Sequence, residues 1–213
     1  DFLKRYVHVS TPEVYGNCIG QVTESTPFNP STPYAVSRAA CDLHLRTFFN
    51  QYKFPVVFTR AANVYGPAQQ LYRIIPRTIF CIKIGKKLQL HGGGHSTRSF
   101  IHIRDVATAT LKIAQNGIPG EAYHISTDSH ISIRGLVEMI CKMMAVDFSK
   151  LVEIVDERPG HDAAYLLDSS KLRKELAWLD RIGLEDGISE TIDWINNNFE
   201  ELKKQPFEYI HKE

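Results

Sequence analysis

Cysteine is scarce in this sequence, and its spacing does not indicate a metal or redox site. The 213 residues contain four cysteines, Cys18, Cys41, Cys81 and Cys141, with neither a C-x-x-C pair nor Cys/His spacing typical of metal ligands. Disulfide-rich secreted domains and zinc modules place their cysteines much closer together. We therefore expect free thiols in a reducing cytoplasm, with neither a disulfide nor a bound metal.

Strong net charge and long apolar runs are also missing. The formal net charge is +1 and lysine and arginine do not cluster, so the sequence lacks the basic patch of nucleic-acid-binding proteins. No apolar stretch approaches the roughly 20 residues that cross a bilayer, and no signal peptide is recognisable. Hydrophobic residues make up 43% of the chain, enough for a sizeable core. We expect a globular protein whose partners are neither nucleic acid nor membrane.

A glycine-rich turn is the third absence. Dinucleotide-binding domains place such a turn between a strand and a helix, where it receives the pyrophosphate. The one glycine cluster, at 91–95, leads into a polar segment and predicts an ordinary turn. The chain opens at Asp1, without Met, and runs almost at once into a strand that needs neighbours on both sides. We therefore expect that the chain starts in the middle of a domain, without a glycine-rich dinucleotide-binding half of its own.

A strand, a helix and a second strand are predicted near the start of the chain. Residues 6–9 are apolar and β-forming, Pro33 suits the start of a helix that reaches Tyr52, and residues 56–59 form another β-rich run. A right-handed crossover makes the two strands parallel. The helix is amphipathic, and the following larger side chains are expected to serve the core: Leu43, Leu45, Phe48, Phe49 and Tyr52.

Periodicity and turn residues also divide the rest of the chain. Isolated histidines such as His8 are interpreted as structural or solvated. Strands are predicted over 88–90, 100–103, 122–125 and 152–155. Helices are predicted over 74–84, 105–115, 131–144, 169–176 and 184–199.

Polar side chains follow the first two predicted strands. Thr11 and Glu13 come after the first strand and Asn63 after the second, and parallel sheets bind ligands at the carboxyl ends of their strands. On the helix, Tyr34 and Arg38 are four residues apart and share a face. A phenol is a poor base near neutral pH unless a positive charge stabilises the phenolate. The pair suits a catalytic base, although alone it is more typical of an ordinary solvated or half-buried helix face.

Several motifs occur in a fixed order. They read Ser-Thr-x-Glu-Val-Tyr-Gly at 10–16, Pro-Tyr-x-x-Ser-Arg-Ala at 33–39 and Arg-Ala-Ala-Asn-Val-Tyr-Gly-Pro at 60–67, and further matches lie at 75–76, 97–102, 105–106 and 157–162. In this order they resemble the extended short-chain dehydrogenase/reductase family of nucleotide-sugar enzymes, in particular the dTDP-glucose 4,6-dehydratases. The resemblance covers nearly the whole chain.

The resemblance implies an α/β fold: the C-terminal part of a doubly wound, Rossmann-like parallel sheet with a smaller α/β substrate-binding domain. Residues 1–67 and 100–128 would form the C-terminal half of the Rossmann-like domain. Residues 68–99 and 129–213 would form the substrate-binding domain. The family also implies NAD as cofactor, a nucleotide-diphosphate sugar as substrate, and a homodimer to which the helix from Pro33 contributes.

The resemblance further implies a reaction in three steps. The sugar is oxidised at C4 with hydride transfer to NAD, water is eliminated across C5 and C6, and the hydride returns to C6. Tyr34 matches the base for the C4 hydroxyl, Arg38 the cation beside it, Thr11 the hydroxyl that orients the sugar and Glu13 the C5 base. The implied cofactor contacts are Ser10, Thr11, Tyr34, Arg38 and Ala61.

The substrate contacts implied by the family lie farther along the chain. Guanidinium groups suit the diphosphate because their planar fork matches phosphate oxygens. The matching residues are Asn63, Arg73, Gln89, His91, Arg98, Arg158 and Tyr165.

Two positions in or beside the catalytic set depart from the family pattern. Pro12 stands where the dTDP-glucose enzymes usually have Asp, and Arg38 stands where the family has Lys. Proline cannot donate a proton, so Glu13 would act first as base and then as acid. Arginine keeps the charge but changes its shape. The alternatives are a UDP-sugar decarboxylase or 4-epimerase of the same fold, or a non-catalytic relative that binds nucleotide sugars; an epimerase needs no C5 base, so Glu13 disfavours it.

Overall fold

The computed structural model describes residues 2–18, 20–156 and 166–208. Its strands are Tyr6–Val9 (β1), Gln21–Val22 (β2), Val56–Ala61 (β3), Asn63–Tyr65 (β4), Leu88–His91 (β5), Thr97–Arg98 (β6), Phe100–His102 (β7), Ala122–Ile125 (β8), Ile131–Ser132 (β9), Val152–Val155 (β10) and Leu166–Leu167 (β11). Its α-helices are Pro33–Tyr52 (α1), Ile74–Ile84 (α2), Ile103–Asn116 (α3), Ile133–Met143 (α4), Phe148–Leu151 (α5), Ser170–Leu176 (α6), Leu184–Asn197 (α7) and Phe199–Leu202 (α8). Two short 3-10 turns cover Pro12–Tyr15 and Gly92–Gly94.

The chain divides into two compact units, each built from three segments. The first unit comprises the described residues of Asp1–Val64, Thr97–His130 and Gly160–Ile182. The second unit comprises the described residues of Tyr65–Ser96, Ile131–Pro159 and Gly183–Glu213.

The first unit is organised around a parallel sheet in the order β1-β3-β8. β1 pairs with β3 from Tyr6 opposite Val56, and β3 pairs with β8 from Phe58 opposite Ala122. All but the last residue of β3 are buried, as expected for a central strand. The predicted strand-helix-strand unit with parallel pairing is thus confirmed, and its carboxyl ends share one edge of the sheet.

Helix α1 begins as its sequence predicts. Thr32 caps it by accepting a hydrogen bond from Ala35 N at 3.1 Å, and Pro33 occupies the first turn. Lys53 ends the helix in the left-handed region with φ of 54°. Because α1 connects the carboxyl end of β1 to the start of the parallel strand β3, its first residues lie near the carboxyl end of the sheet.

The expectation about the buried face of α1 was wrong for three of its five side chains, while Leu45 and Phe49 pack against a core cluster as expected. Leu43 is 55% exposed and Tyr52 is 75% exposed, and Phe48 is also exposed. The residues that α1 buries are Ala35, Ala39 and Asp42. Small residues sit at this interface because α1 packs closely against β3 and against the 3-10 turn at Pro12–Tyr15, which is called the 3-10 turn from here on.

Helix α3 begins two residues before the predicted position. His102 ends β7 and caps the helix, since its Nδ1 accepts a hydrogen bond from Arg104 N at 3.3 Å. Asp105, in the first turn, is buried and its Oδ2 accepts hydrogen bonds from Arg181 N at 3.1 Å and Ile182 N at 3.0 Å. The carboxylate thereby fixes the chain that follows α6.

The second unit pairs β5 with β10 in parallel, from Leu88 opposite Val152. Its central cluster is apolar and includes Leu88, Leu90 and Val137. Gly85 ends α2 in the left-handed region, with φ of 66°. The helix predicted over 131–144 is observed over Ile133–Met143, because residues 131 and 132 form β9 and Met144 caps the helix end.

Candidate active site

The loop after β1 places three predicted site residues at the carboxyl end of the sheet. Ser10 N donates a hydrogen bond to the carbonyl oxygen of Thr59 on β3 at 2.8 Å, which starts the loop against the neighbouring strand. Thr11 then caps the 3-10 turn, because its Oγ1 accepts a hydrogen bond from Glu13 N at 3.3 Å. The backbone of Glu13 is thereby tied to the end of β1.

The turn that carries Glu13 has a shape that its sequence dictates. Pro12 occupies the first turn, where a missing N–H is tolerated. Gly16 closes the turn at φ of 63°, and a Cβ there would lie 1.9 Å from the carbonyl oxygen of Asn29. Asn29 N in turn donates a hydrogen bond to the carbonyl oxygen of Val14 at 3.0 Å. The turn is therefore a defined element of the site.

Tyr34 and Arg38 lie one helical turn apart at the start of α1. The side chain of Tyr34 is 54% exposed, and none of the described residues hydrogen-bonds its phenol. Arg38 donates a hydrogen bond from Nη2 to the carbonyl oxygen of Val9, the last residue of β1. Its Nε is buried without a hydrogen-bond partner among the described residues. Arg38 is thus fastened to the strand end, while Tyr34 is open to a ligand.

Asp42 continues the same helical face by one more turn and is buried, with 2% exposure. Its Oδ2 accepts hydrogen bonds from Ser10 Oγ at 2.8 Å and from Arg60 Nη2 at 2.6 Å. Its Oδ1 lies 3.0 Å from His8 Nε2. One carboxylate therefore joins α1 to β1, to the loop after β1 and to β3. His8, interpreted from the sequence as structural or solvated, is buried.

Arg60 extends this group toward the 3-10 turn. Its Nη1 donates a hydrogen bond to the hydroxyl of Tyr15 at 2.8 Å, and that hydroxyl lies 2.7 Å from His124 Nε2 on β8. The guanidinium carbon stands 5.3 Å from the ring centroid of Tyr15 and 5.0 Å from that of Phe28. Both rings therefore shield a cation that is 1% exposed.

Burial controls the ionisation of these groups. It raises the pKa of Tyr15 to about 12, although the charge and the hydrogen bond of Arg60 act in the opposite direction. Burial, followed by the charge of Arg60, lowers the pKa of His124 to about 3. Burial alone would raise the pKa of Asp42, but hydrogen bonds from His8 and Arg60 hold it below its ordinary value. At neutral pH, Tyr15 and His124 are neutral and the Asp42 carboxylate balances Arg60.

Three further predicted residues belong to the first unit. Ala61 ends β3 and is half-buried. Asn63 begins β4, and its Nδ2 donates a hydrogen bond to the carbonyl oxygen of Ser99 at 3.1 Å. Arg98 is half-buried and its Nη1 donates to the carbonyl oxygen of Thr97 at 2.9 Å. Ala61 and Asn63 lie at the carboxyl end of the sheet with the loop after β1.

The remaining predicted substrate contacts lie elsewhere. In the second unit, Arg73 is exposed just before α2, Gln89 is exposed on β5, and His91 ends β5 with its Nδ1 3.0 Å from the carbonyl oxygen of Asp156. The other two predicted contacts, Arg158 and Tyr165, lie outside the described residues.

The sequence interpretation missed Asp42, Arg60, Tyr15 and His124. A signal was present for Arg60, because an arginine inside an otherwise apolar strand requires a buried partner. A second signal was the spacing of Tyr34, Arg38 and Asp42, which repeats every four residues. Nothing local pointed to Tyr15 or to His124, whose partners come from distant segments.

Two negative findings apply to the part of the chain that the structure describes. No group of three or more His, Cys, Asp or Glu side chains among these residues could hold a metal ion. None of the described helices is both long enough and apolar enough to span a bilayer.

Comparisons with known sequences point to one family. The family model of GDP-mannose 4,6 dehydratase matches residues 3–191. The dTDP-D-glucose 4,6-dehydratase of Bos taurus is 36% identical over 207 residues, covering 94% of this chain and 58% of the bovine protein. The dTDP-glucose 4,6-dehydratase of Escherichia coli is 32% identical, covering 92% of this chain and 60% of the bacterial protein. The chain thus spans about three fifths of the length of these relatives.

Solved structures show the same likeness. The dTDP-glucose 4,6-dehydratase of Streptomyces venezuelae, crystallised with NAD, superposes with a TM-score of 0.87 at 36% identity, covering 91% of this chain and 60% of that one. The UDP-glucuronic acid 4-epimerase of Bacillus cereus superposes with a TM-score of 0.86 at 26% identity, covering 91% of this chain and 62% of that one. The fold is thus Rossmann-like, and from the extent of the sequence match the chain belongs to the GDP-mannose 4,6 dehydratase family of nucleotide-sugar dehydratases and epimerases.

Proposed function

We propose that this chain carries the sugar-oxidising and water-eliminating side chains of an NAD-dependent nucleotide-sugar 4,6-dehydratase, a lyase that converts dTDP-glucose to its 4-keto-6-deoxy sugar. The observation that carries the proposal lies at the carboxyl end of β1. Arg38 fastens the start of α1, which presents Tyr34, to the last carbonyl of β1, and the turn with Glu13 follows directly. A base for C4 and a base for C5 at one strand end match the needs of this reaction.

The side chains at the C4 position act first. Tyr34 acts as the base that takes the proton of the C4 hydroxyl as hydride leaves C4, and Arg38 is the cation one helical turn away from it. Thr11 orients the sugar through its hydroxyl. NAD, when bound, supplies the acceptor for this hydride and later the donor to C6.

Elimination then falls to Glu13. The new C4 carbonyl acidifies the C5 proton, and the Glu13 carboxylate takes it. Pro12 has no proton to donate, so the same carboxyl group passes that proton to the C6 hydroxyl. The hydroxyl then leaves as water. After hydride delivery to C6, a proton added at C5 balances the one that Tyr34 removed from the C4 hydroxyl. The net change is the loss of one water.

The residues at this strand end fit the nicotinamide end of the cofactor. Tyr34 presents a half-exposed phenol, and Arg38 has a buried Nε donor without a described partner. Ser10, Thr11 and Ala61 complete the proposed set, since the hydroxyls supply polar contacts and the small side chain leaves room for a ring.

The proposed substrate contacts divide into two chemical groups. Guanidinium groups would receive the diphosphate, because their fork matches phosphate oxygens. Neutral polar side chains and an aromatic one would contact the sugar and the base. Together the set is Asn63, Arg73, Gln89, His91, Arg98, Arg158 and Tyr165.

We also propose that the protein is a cytoplasmic homodimer. Helix α1 exposes apolar side chains that water would otherwise solvate, with Val36 at 52% and Leu43 at 55% exposure. An exposed apolar helix face supports self-association. The four cysteines are widely spaced in the sequence, a pattern that suits free thiols in a reducing compartment.

The test uses the complete gene product, incubated with NAD and dTDP-glucose. We expect the 4-keto-6-deoxy product by NMR, and a Tyr34→Phe variant should lower turnover by about 10²–10⁴-fold. Tyr6→Phe removes a phenol from the exposed side of β1 and serves as the matched control with unchanged turnover. Absence of product from the wild type, or near-normal turnover by Tyr34→Phe, would contradict the proposal.

A parallel incubation with UDP-glucose separates dehydration from 4-epimerisation, which the B. cereus structure exemplifies. Inversion at C4 with the C6 hydroxyl retained, and no 4-keto product from either sugar nucleotide, would show that Glu13 is not used as a C5 base.

A further inference from the structure

A continuous chain of hydrogen bonds crosses the core of the first unit. It runs from Ser10 through Asp42, Arg60 and Tyr15 to His124, with successive distances of 2.8, 2.6, 2.8 and 2.7 Å. Of its five members, all but Ser10 are buried. The chain joins the loop after β1, helix α1, strand β3, the 3-10 turn and strand β8.

The chemistry of the groups sets the direction of every bond. A guanidinium only donates, so Asp42 and the Tyr15 oxygen accept from Arg60. The proton of Tyr15 then points to His124 Nε2, which must be the acceptor. The other ring nitrogen, Nδ1, carries the proton and lies 3.2 Å from the carbonyl oxygen of Asp168. A neutral His124, whose pKa burial lowers to about 3, agrees with this assignment.

Such an arrangement is poorly explained by stability. Taking an ion pair out of water costs free energy that its attraction barely repays, and apolar replacements are often neutral or stabilising. A buried guanidinium instead fixes the relative positions of the groups that it binds. The guanidinium is planar and its donors have fixed directions, so its two partners are held in a set relation to each other.

The two partners of Arg60 belong to the two elements that carry the proposed bases. Nη2 binds Asp42, which lies two turns beyond Tyr34 on the same face of α1. Nη1 binds Tyr15, which ends the 3-10 turn that begins beside Glu13. The Arg60 guanidinium therefore binds both the helix that carries Tyr34 and the turn that carries Glu13, and it fixes the position of one relative to the other.

Helix α1 and the turn differ in how firmly they are otherwise held. Helix α1 is twenty residues long, is capped by Thr32 and is fastened by Arg38. The turn has four residues. The Thr11 cap and the bond from Asn29 N to the Val14 carbonyl hold its start and middle, and Tyr15 is its one fully buried polar side chain. Loss of the Arg60–Tyr15 bond should therefore displace Glu13 more than Tyr34.

We propose that Arg60, acting through Tyr15, is a positioning residue that sets Glu13 against Tyr34, so that water elimination depends on this hydrogen bond more strongly than C4 oxidation does. The inference rests on the proposed function. A displacement of about 1 Å costs on the order of 10²-fold in rate, so a modest shift of the turn is enough to separate the two steps.

Tyr15→Phe is the direct test, because it removes the hydroxyl and keeps the ring. In the complete gene product with dTDP-glucose, we expect product formation to fall by about tenfold or more while C4 oxidation stays within about threefold. Reduced cofactor should then accumulate transiently in stopped-flow absorbance. Equal slowing of both steps, or of neither, overturns the inference.

Tyr123→Phe is the matched control. Tyr123 is also a fully buried tyrosine, and its hydroxyl receives a hydrogen bond from Ile118 N at 3.0 Å and donates one to Glu175 at 3.0 Å, but it contacts neither α1 nor the turn through these bonds. It should cost comparable stability without changing the ratio of oxidation to elimination. A changed ratio in Tyr123→Phe would mean that general destabilisation explains the effect.

A second readout needs no turnover. Amide hydrogen exchange of the free protein should quicken over residues 13–16 in Tyr15→Phe, relative to α1, and stay unchanged there in Tyr123→Phe. If Tyr15→Phe does not fold, Arg60→Lys takes its place, since it keeps a charge beside Asp42 but loses the planar, two-pronged guanidinium. A wild type without product refutes the proposed function alone, whereas unchanged exchange over residues 13–16 refutes the positioning role alone.

Discussion

The cores of the two units differ in kind. In the first unit, Asp42, Arg60 and His124 are buried, and each hydrogen-bonds to an element other than its own: Asp42 on α1 pairs with Arg60 on β3, and His124 on β8 pairs with Tyr15 in the 3-10 turn. In the second unit, the buried hydrogen-bonding side chains among the described residues are neutral: Thr78, Thr191 and Tyr65, whose hydroxyl donates to the Gly183 and Leu184 carbonyls at 3.4 Å. The Thr78 hydroxyl bonds the Ile74 carbonyl at 2.7 Å and that of Thr191 bonds the Gly187 carbonyl at 2.8 Å, each within its own helix.

The contrast shows what each core specifies. Apolar packing is non-directional, so the second unit can tolerate small shifts of its helices at modest cost. Charged hydrogen bonds are directional and strong only in the right geometry, so the first unit fixes a few atoms at the carboxyl end of its sheet. The proposed bases lie in the unit with the directional core.

Each unit contains one of the two tryptophans, which allows separate measurement. Trp178 is buried in the first unit and Trp194 is half-buried in the second. In a Trp194→Phe background, fluorescence reports the first unit, and in a Trp178→Phe background it reports the second. The four predictions below use urea unfolding followed in this way.

The largest expected effect is the breaking of the buried ion pair. Arg60→Met leaves the Asp42 carboxylate buried without its cation, which should lower the free energy of unfolding of the first unit by about 3–5 kcal/mol. Adding Asp42→Leu should recover part of that loss, because the orphaned charge is then gone. A loss below about 1 kcal/mol in Arg60→Met, or no recovery in the double variant, would contradict the comparison.

The second prediction concerns pH. The pKa of His124 is about 3 in the folded state and 6.5 as an ordinary value, so between these values the unfolded chain binds a proton that the folded chain does not. The contribution of His124 to the free energy of unfolding is therefore fully present above pH 6.5 and is lost as the pH falls toward 3. From pH 7 to pH 5, the first unit should lose about 2 kcal/mol through this group.

His124→Gln should remove most of this pH dependence, while His95→Gln, at an exposed histidine of the second unit, should leave it intact. Glu24, which accepts a hydrogen bond from His124 N at 2.9 Å, acts in the opposite direction because burial raises its pKa. Comparison of the wild type with His124→Gln isolates the histidine. An equal loss of stability in both proteins would contradict the assignment.

The third prediction tests the apolar core. Ile140 is fully buried on α4, and Ile140→Val removes one methylene group, so the second unit should lose about 0.5–1.5 kcal/mol. The loss should be the same at pH 7 and pH 5, because no buried charge is involved. A strongly pH-dependent loss, measured through Trp194, would show that the second core is not simply apolar.

The smallest expected effect is the loss of a threonine hydroxyl in the second unit. Thr191→Val keeps the shape and removes a bond to the helix's own carbonyl, and we expect a change below about 1 kcal/mol. Ser169→Ala in the first unit is the comparison, because Ser169 Oγ donates to the Ser126 carbonyl at 3.1 Å and accepts from Arg173 Nε at 3.1 Å. The serine change should cost more, and the reverse order would contradict the contrast between the cores.

The sequence by itself determined the local elements and most of the residues at the sheet edge. The run at 6–9, the cap and proline at the start of α1, and the run at 56–59 each act within a few residues, so their β-α-β arrangement and parallel pairing followed from pattern alone. Because parallel strands end at a common edge, the pattern also placed Thr11, Glu13 and Asn63 there.

Only the tertiary structure decided which face of α1 is buried and how the buried charges are paired. Apolar side chains such as Leu43 predicted a core face, but close packing on the 3-10 turn and β3 selected Ala35, Ala39 and Asp42 instead. Tyr15 and His124 are separated by 109 residues, and Arg60 lies 45 residues from Tyr15. Hydrogen bonds between such distant segments leave no periodic trace in the sequence, because each partner is local to a different element and only the fold brings their atoms together.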